Sequence, residues 1–165
     1  MPTDATLKDH YRNEADPDAD PWDRPFPTTV HYMDEAEREA HRLFVDADGR
    51  LRDAAGNVFD STRGASVHRG GEGRAIFVMD GNGNLYATLD QEVGVIHHSS
   101  LLSGADVAGA GEIKVIDGRL VEFTDRSGHY QPAPAVNDRA LAALRAQGLR
   151  PSDDFQQFGF DNRAR

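Results

Sequence analysis

A chain of 165 residues with 18 Lys and Arg against 28 Asp and Glu, a formal charge of −10, fits one domain of ordinary size and repels phosphate backbones and anionic lipid. Nucleic acid is therefore disfavoured as a partner, and a membrane is not expected as one. Zero cysteines remove disulfides, thiolate zinc sites and cysteine nucleophiles, while the absence of a signal-peptide core or of an apolar run near the roughly 20 residues that span a bilayer predicts a soluble chain.

Residues 1–27 read as a poorly ordered leader, because Asp16-Pro17-Asp18-Ala19-Asp20-Pro21 and Arg24-Pro25-Phe26-Pro27 supply charge and proline where a core segment needs apolar period. Trp22 and Phe26 are its expected anchors, packing on the domain. Residues 28–150 read as a single catalytic-type domain and 151–165 as a tail packing on or near it.

A short helix is predicted over 35–42, with Asp34 and Glu37 forming a capping box. Arg42-Leu43-Phe44-Val45, Arg50-Leu51-Arg52 and Asn57-Val58-Phe59 are small strands separated by turn residues, and 61–73 is a glycine-rich loop. Ala75-Ile76-Phe77-Val78-Met79 and Leu85-Tyr86-Ala87-Thr88-Leu89 form a central hairpin whose first strand is buried on both faces. A second hairpin joins residues 113–116 and 119–123 through Asp117-Gly118, a pair suited to a type I′ turn. The last helix, 137–147, is capped by Asn137 and stopped by Gly148. The expected fold class is α+β: an antiparallel meander and hairpins forming a small twisted sheet, with a short N-terminal and a C-terminal helix.

Three polar clusters, His97-His98-Ser99-Ser100, Ala110-Gly111-Glu112 and Ser127-Gly128-His129-Tyr130, surround the second hairpin. Their coincidence points to an active site, since histidine is the side chain best matched to proton transfer near neutrality and strand ends hold convergent groups rigidly. The candidate catalytic residues are His98, Glu112, His129 and Tyr130, and the candidate substrate-binding residues are Ser99, Ser100, Ser127 and His68. The alternative is that these serines and histidines only fix loops by bonding to the backbone.

No metal is expected. Asp80, Asn82 and Asn84 match the start of a calcium loop, but Leu85 stands where glycine belongs and Gln91 where a bidentate Glu belongs. His97 and His98, adjacent on a strand, would face opposite ways. A serine-hydrolase elbow is missing around Ser99 and Ser100, and Gly70-Gly71-Glu72-Gly73 lacks the Walker lysine and the dinucleotide fingerprint.

Taken in order, Tyr32-Met33-Asp34, Glu37-Arg38-Glu39-Ala40, Ala75-Ile76-Phe77-Val78, His98-Ser99-Ser100-Leu101-Leu102-Ser103-Gly104, Ala110-Gly111, Asp117-Gly118 and Ser127-Gly128-His129-Tyr130-Gln131-Pro132 resemble a domain of two settings. One is the C-terminal tip of bacterial polymorphic toxins; the other is the body of plant IQ-motif-containing calmodulin-binding proteins. The resemblance covers residues 31–149. It implies a toxin domain secreted or delivered within a longer parent, acting in a target-cell cytoplasm and paired with an immunity protein. Calmodulin binding does not carry over, because the plant members' IQ helix lies outside this region and no Ile-Gln or equivalent basic helix occurs here. Glu112 occupies a position that is acidic in the bacterial members and not in the plant ones. Val67-His68-Arg69-Gly70 resembles the segment opening the NAD pocket of ADP-ribosyltransferases.

Three functions are then open. The first is a toxin enzyme taking NAD as substrate, an ADP-ribosyltransferase or NAD glycohydrolase acting on a small-molecule or protein substrate, with Glu112 stabilising the oxocarbenium charge. The second is a metal-independent ribonuclease with His98 and His129 as acid and base, against which the charge of −10 argues. The third is a non-catalytic interaction module whose polar clusters fix loops.

Overall fold

The computed structural model describes residues 1–67 and 69–165. Helix α1, Glu35–Ala40, begins as its sequence dictates: Asp34 accepts from the Glu37 N–H at 2.8 Å and the Glu37 carboxylate reaches back to the Asp34 N–H. It ends two residues earlier than predicted because the chain turns at His41 into strand β1, Arg42–Val45. Strands β2, Leu51–Arg52; β3, Ala75–Met79; and β4, Leu85–Thr88, follow. After a four-residue helix α2, His98–Leu101, come β5, Gly109–Ile116, and β6, Arg119–Thr124, then α3, Pro134–Ala146, and β7, Gln156–Phe158.

These strands make one seven-stranded sheet in the order β2-β1-β4-β3-β5-β6-β7, so the molecule is mixed α and β with few helices. Neighbours are antiparallel except β6 and β7, which run parallel because α3 carries the chain back to the starting end of β6. Asp117 and Gly118 both take positive φ, 50° and 77°, as the type I′ turn between β5 and β6 requires. The sheet curls on itself: Leu51 donates to the Gly118 carbonyl, Gly118 to the Phe59 carbonyl and Ser61 to the Val115 carbonyl, bringing the β2 edge against the β5–β6 turn.

All five residues of β3 are buried, so the sheet has a core on each face. One core gathers Leu43, Phe77, Ile113, Val115 and Phe123 beneath Ala140, Leu141 and Leu144 of α3. The other gathers Val78, Tyr86, Ala110, Leu101 and Tyr130 with Ala5 and Leu7 of the N-terminal segment. That segment, expected as a loose leader, is tied down along its length. Ala5 pairs with Val107, the Lys8 N–H donates to the His129 carbonyl, and the Val30 N–H donates to the Glu14 carbonyl. The tail supplies β7 at the sheet edge. Among the described residues no helix is long and apolar enough to cross a membrane.

Candidate functional site

The His97-His98 pair does not lie on a strand. His97 precedes α2 and His98 opens it, because the His97 N–H donates to Ser100 Oγ at 3.0 Å and turns the chain into the helix. The His97 ring accepts the Gly94 N–H at Nε2, 2.8 Å away, which requires a lone pair on that nitrogen. His98 Nε2 instead donates to the Gly111 carbonyl at 2.6 Å, joining α2 to β5. Both rings are buried, with 7% and 2% of their surface exposed.

The close approach of α3 and of the end of β6 to β5 explains the Gly109-Ala110-Gly111 step. A Cβ on Gly111 would overlap the Thr124 carbonyl, and one on Gly109 would lie 2.8 Å from Ala140 Cβ. Only glycine fits either place without displacing a neighbour. Asn137 of α3 reaches the same step: its side chain accepts from Ala110 N and donates to the Ala110 and Thr124 carbonyls.

Above α2, a polar cluster joins the N-terminal segment to the domain. Glu14, fully buried, takes His129 Nε2 at 2.7 Å and the Tyr32 hydroxyl at 2.8 Å. Burial alone would raise the Glu14 carboxyl, but hydrogen bonding and charge from His129, with help from the Tyr32 hydroxyl, outweigh it and hold the group below the usual carboxylate range. Burial and the adjacent Glu14 charge push the Tyr32 phenol well above its ordinary value. Four rings then stack in sequence. Tyr11 lies 3.8 Å from His129, His129 4.4 Å from His97, and His97 5.1 Å from Phe26, so two N-terminal rings enclose two domain imidazoles.

The remaining candidates are dispersed. By strand alternation Glu112 shares the sheet face of Ala110, but its oxygens are taken by Arg74 Nη1 at 3.4 Å and by the Ser66 hydroxyl. Arg74 is itself held by Asn162 at 2.7 Å and lies over the Phe158 ring. Tyr130 donates its hydroxyl to the Ala105 carbonyl, and burial raises that phenol. Ser127 closes its own turn, accepting from Tyr130 N and, through its carbonyl, from Gln131 N. Ser100 anchors His97. His68 lies outside the described residues. The structure thus brings His129 to Glu14, leaves the buried Ser99 Oγ without a hydrogen-bond partner among the described residues, sets His98 on β5, and leaves Glu112 with Arg74. Among the described residues no group of three or more His, Asp or Glu is placed to hold a metal ion.

Sequence reasoning missed Glu14, Tyr11, Tyr32 and Arg74, and marked His97 only as a member of the 97–100 cluster. Only the aromatic residues carried a signal, as large rings in a polar segment; nothing distinguishes Glu14 locally from its exposed acidic neighbours.

The model of the IQ motif-containing protein middle domain matches residues 37–136. The chain belongs to that family. It is similar to IQ domain-containing protein IQM1 of Arabidopsis thaliana, 36% identical over 62% of this chain, and to IQM3 of the same plant, 33% identical over 73%. The match to IQM2 is 29% identical over 75% of this chain. The chain spans only about a fifth to a quarter of these relatives' lengths, 19%, 25% and 20% respectively. No solved structure matches.

The plant half of the resemblance is thereby established, and the toxin reading is overturned. Family and relatives bear the names of IQ motif proteins, not of toxins or ADP-ribosyltransferases, so the enzyme assignment and interbacterial competition fall with it. The geometry gives the physical reason. The expected acid-base residues His98, Glu112, His129 and Tyr130 are exposed by 2%, 0%, 4% and 1%, each already bonded to a carbonyl, a carboxylate or a guanidinium within the fold. All four rings or acids of the Glu14 cluster that come from the N-terminal side, Tyr11, Glu14, Phe26 and Tyr32, lie before the matched span.

Proposed function

We propose that this chain is a non-catalytic protein-interaction module, part of a larger protein in its relatives, whose buried histidines and serines fix its loops. The observation that carries this reading is the Glu14–His129 pair. A general acid or base must reach a substrate proton, whereas both members here are buried and spent on holding the N-terminal segment against the turn between β6 and α3. Glu112 and Arg74 form a similar internal joint between β5 and the segments carrying Ser66 and Asn162. On this reading Ser100 and Ser127 have structural duties, and function resides on the outer surface.

The test is direct. The purified chain, incubated with NAD and with total RNA, should leave both intact, and His129→Asn should lower its melting temperature. Immobilised chain should capture a protein partner in a manner competed by free chain. Turnover of either substrate that disappears in His98→Ala while the fold is retained would overturn the proposal.

A further inference from the structure

The N-terminal segment does more than cover the histidines: it presents an exposed aromatic surface on a fixed support. The 3-10 turn Pro21–Asp23 holds Trp22 with 93% of its surface exposed. The turn is braced. The Asp20 carboxylate accepts the Trp22 N–H at 3.0 Å, the Asp23 N–H donates to the Asp20 carbonyl at 2.8 Å, and Phe26 is anchored on the His97 ring. Proline fixes φ at three further positions, so Pro21, Pro25 and Pro27 stiffen the support. With Trp22, Arg24 and Phe26 these prolines line a groove of about 410 Å³. The next loop extends this surface. Thr28 Oγ1 donates to the Gly94 carbonyl at 2.7 Å, Gly94 sits against Phe26, and Val93 beside it is 61% exposed.

Arg24, half-buried, is the one charged residue of the groove's lining, whereas the segment that carries the groove is acidic on either side of it in sequence: Asp16, Asp18, Asp20 and Asp23 are exposed, as is Glu92 two residues before Gly94. A large aromatic held rigidly in solvent forfeits apolar burial unless something covers it, and rigidity lowers the ordering cost of covering it. The acidic flanks choose among the possible covers. A second copy would set like against like at a net charge of −10, and an anionic lipid surface would meet the same repulsion. A cationic segment gains on both counts.

We propose that the groove between Trp22 and Phe26 docks a cationic protein segment, one that inserts an apolar side chain among the prolines and sets Lys or Arg against Asp18, Asp23 and Glu92. This rests on the reading of the chain as an interaction module and names the partner class for one surface of it.

Trp22 is the only tryptophan in the chain, so its fluorescence reports this surface alone. The probes are three synthetic 18-residue peptides labelled with fluorescein: Leu and Lys at amphipathic helical spacing, the same pattern with Glu in place of Lys, and Lys with no apolar residue. The Leu/Lys peptide should shift Trp22 emission to the blue and bind more weakly as salt rises. By anisotropy, Trp22→Ala should weaken that peptide about thirtyfold, the factor expected for loss of a buried aromatic anchor. Asp18→Asn with Asp23→Asn and Glu92→Gln should weaken it by about tenfold and remove most of the salt dependence. The Glu peptide should not bind, and the peptide without apolar residues should leave the emission unshifted. Because Trp22 is 93% exposed, Trp22→Ala should melt as the parent does. Equal binding of the Leu/Lys peptide to parent and Trp22→Ala, binding of the Glu peptide, or a Trp22-dependent dimer in solution would overturn the proposal. Those outcomes leave the module reading standing; that reading fails separately, by His98-dependent turnover.

Discussion

A single carboxylate shows how this chain hides its organisation. Glu14 sits among Asp16, Asp18 and Asp20 in sequence, yet it is fully buried, because His129 and Tyr32 arrive from 115 and 18 residues away to satisfy it. No local pattern encodes such a partnership. By contrast Asp34 and Glu37 were legible, since a capping box is complete within four residues. Removing one member of a buried pair leaves an uncompensated polar group, so Glu14→Gln should cost about 3 kcal/mol at neutral pH. The sign of the pH dependence follows from the depressed carboxyl. Its contribution is fully present above its ordinary value of 4.5 and is lost as pH falls through the lower folded value. Urea midpoints measured from pH 7 to pH 2.5 should therefore fall more steeply below 4.5 in the parent than in Glu14→Gln. Parallel curves would remove Glu14 from the acid transition.

At the scale of elements, the hairpins were legible and the joints between them were not. The Asp117-Gly118 turn and the apolar run at β3 declare themselves by turn chemistry and periodicity. The first residues of β5, Gly109-Ala110-Gly111, do not resemble a strand, because Gly and Ala have poor strand propensity. The two glycines are small because α3 presses on Gly109 and the Thr124 carbonyl of β6 on Gly111, a constraint visible only in three dimensions. Asn137 illustrates the same point. Read as a helix cap, it stands inside α3, which starts at Pro134, the residue type suited to a first helical position. Its amide instead meets both backbone groups of Ala110, the Thr124 carbonyl and Asp125 Oδ1. Asn137→Ala should leave buried Ala110 groups without partners and cost about 3 kcal/mol, read from urea denaturation with an unchanged slope. A loss under 1 kcal/mol would mean that the sheet does not depend on this clamp.

For the whole molecule, the question is where the folded unit begins. The family match starts at residue 37, and charge and proline in residues 1–27 argued for a loose leader. The N-terminal segment nevertheless contributes Ala5 and Leu7 to one core, Glu14 to the buried polar cluster, and Tyr11 and Phe26 to the ring stack. Its apolar content is low because it needs few anchors, each placed on a prepared partner. Deleting residues 1–27 should expose His97, His129 and the Val107 edge together. Each stacked ring pair is worth about 1 kcal/mol, and the buried pair adds about 3 kcal/mol. The truncated chain should then melt roughly 10 °C or more below the parent, at about 2–4 °C per kcal/mol for a chain of this size. It should also bind a hydrophobic dye that the parent excludes, and amide exchange should quicken first in α2. Equal melting temperatures with and without residues 1–27 would show that the domain is complete without its N-terminal segment, leaving Trp22 on an appendage and not on a braced surface.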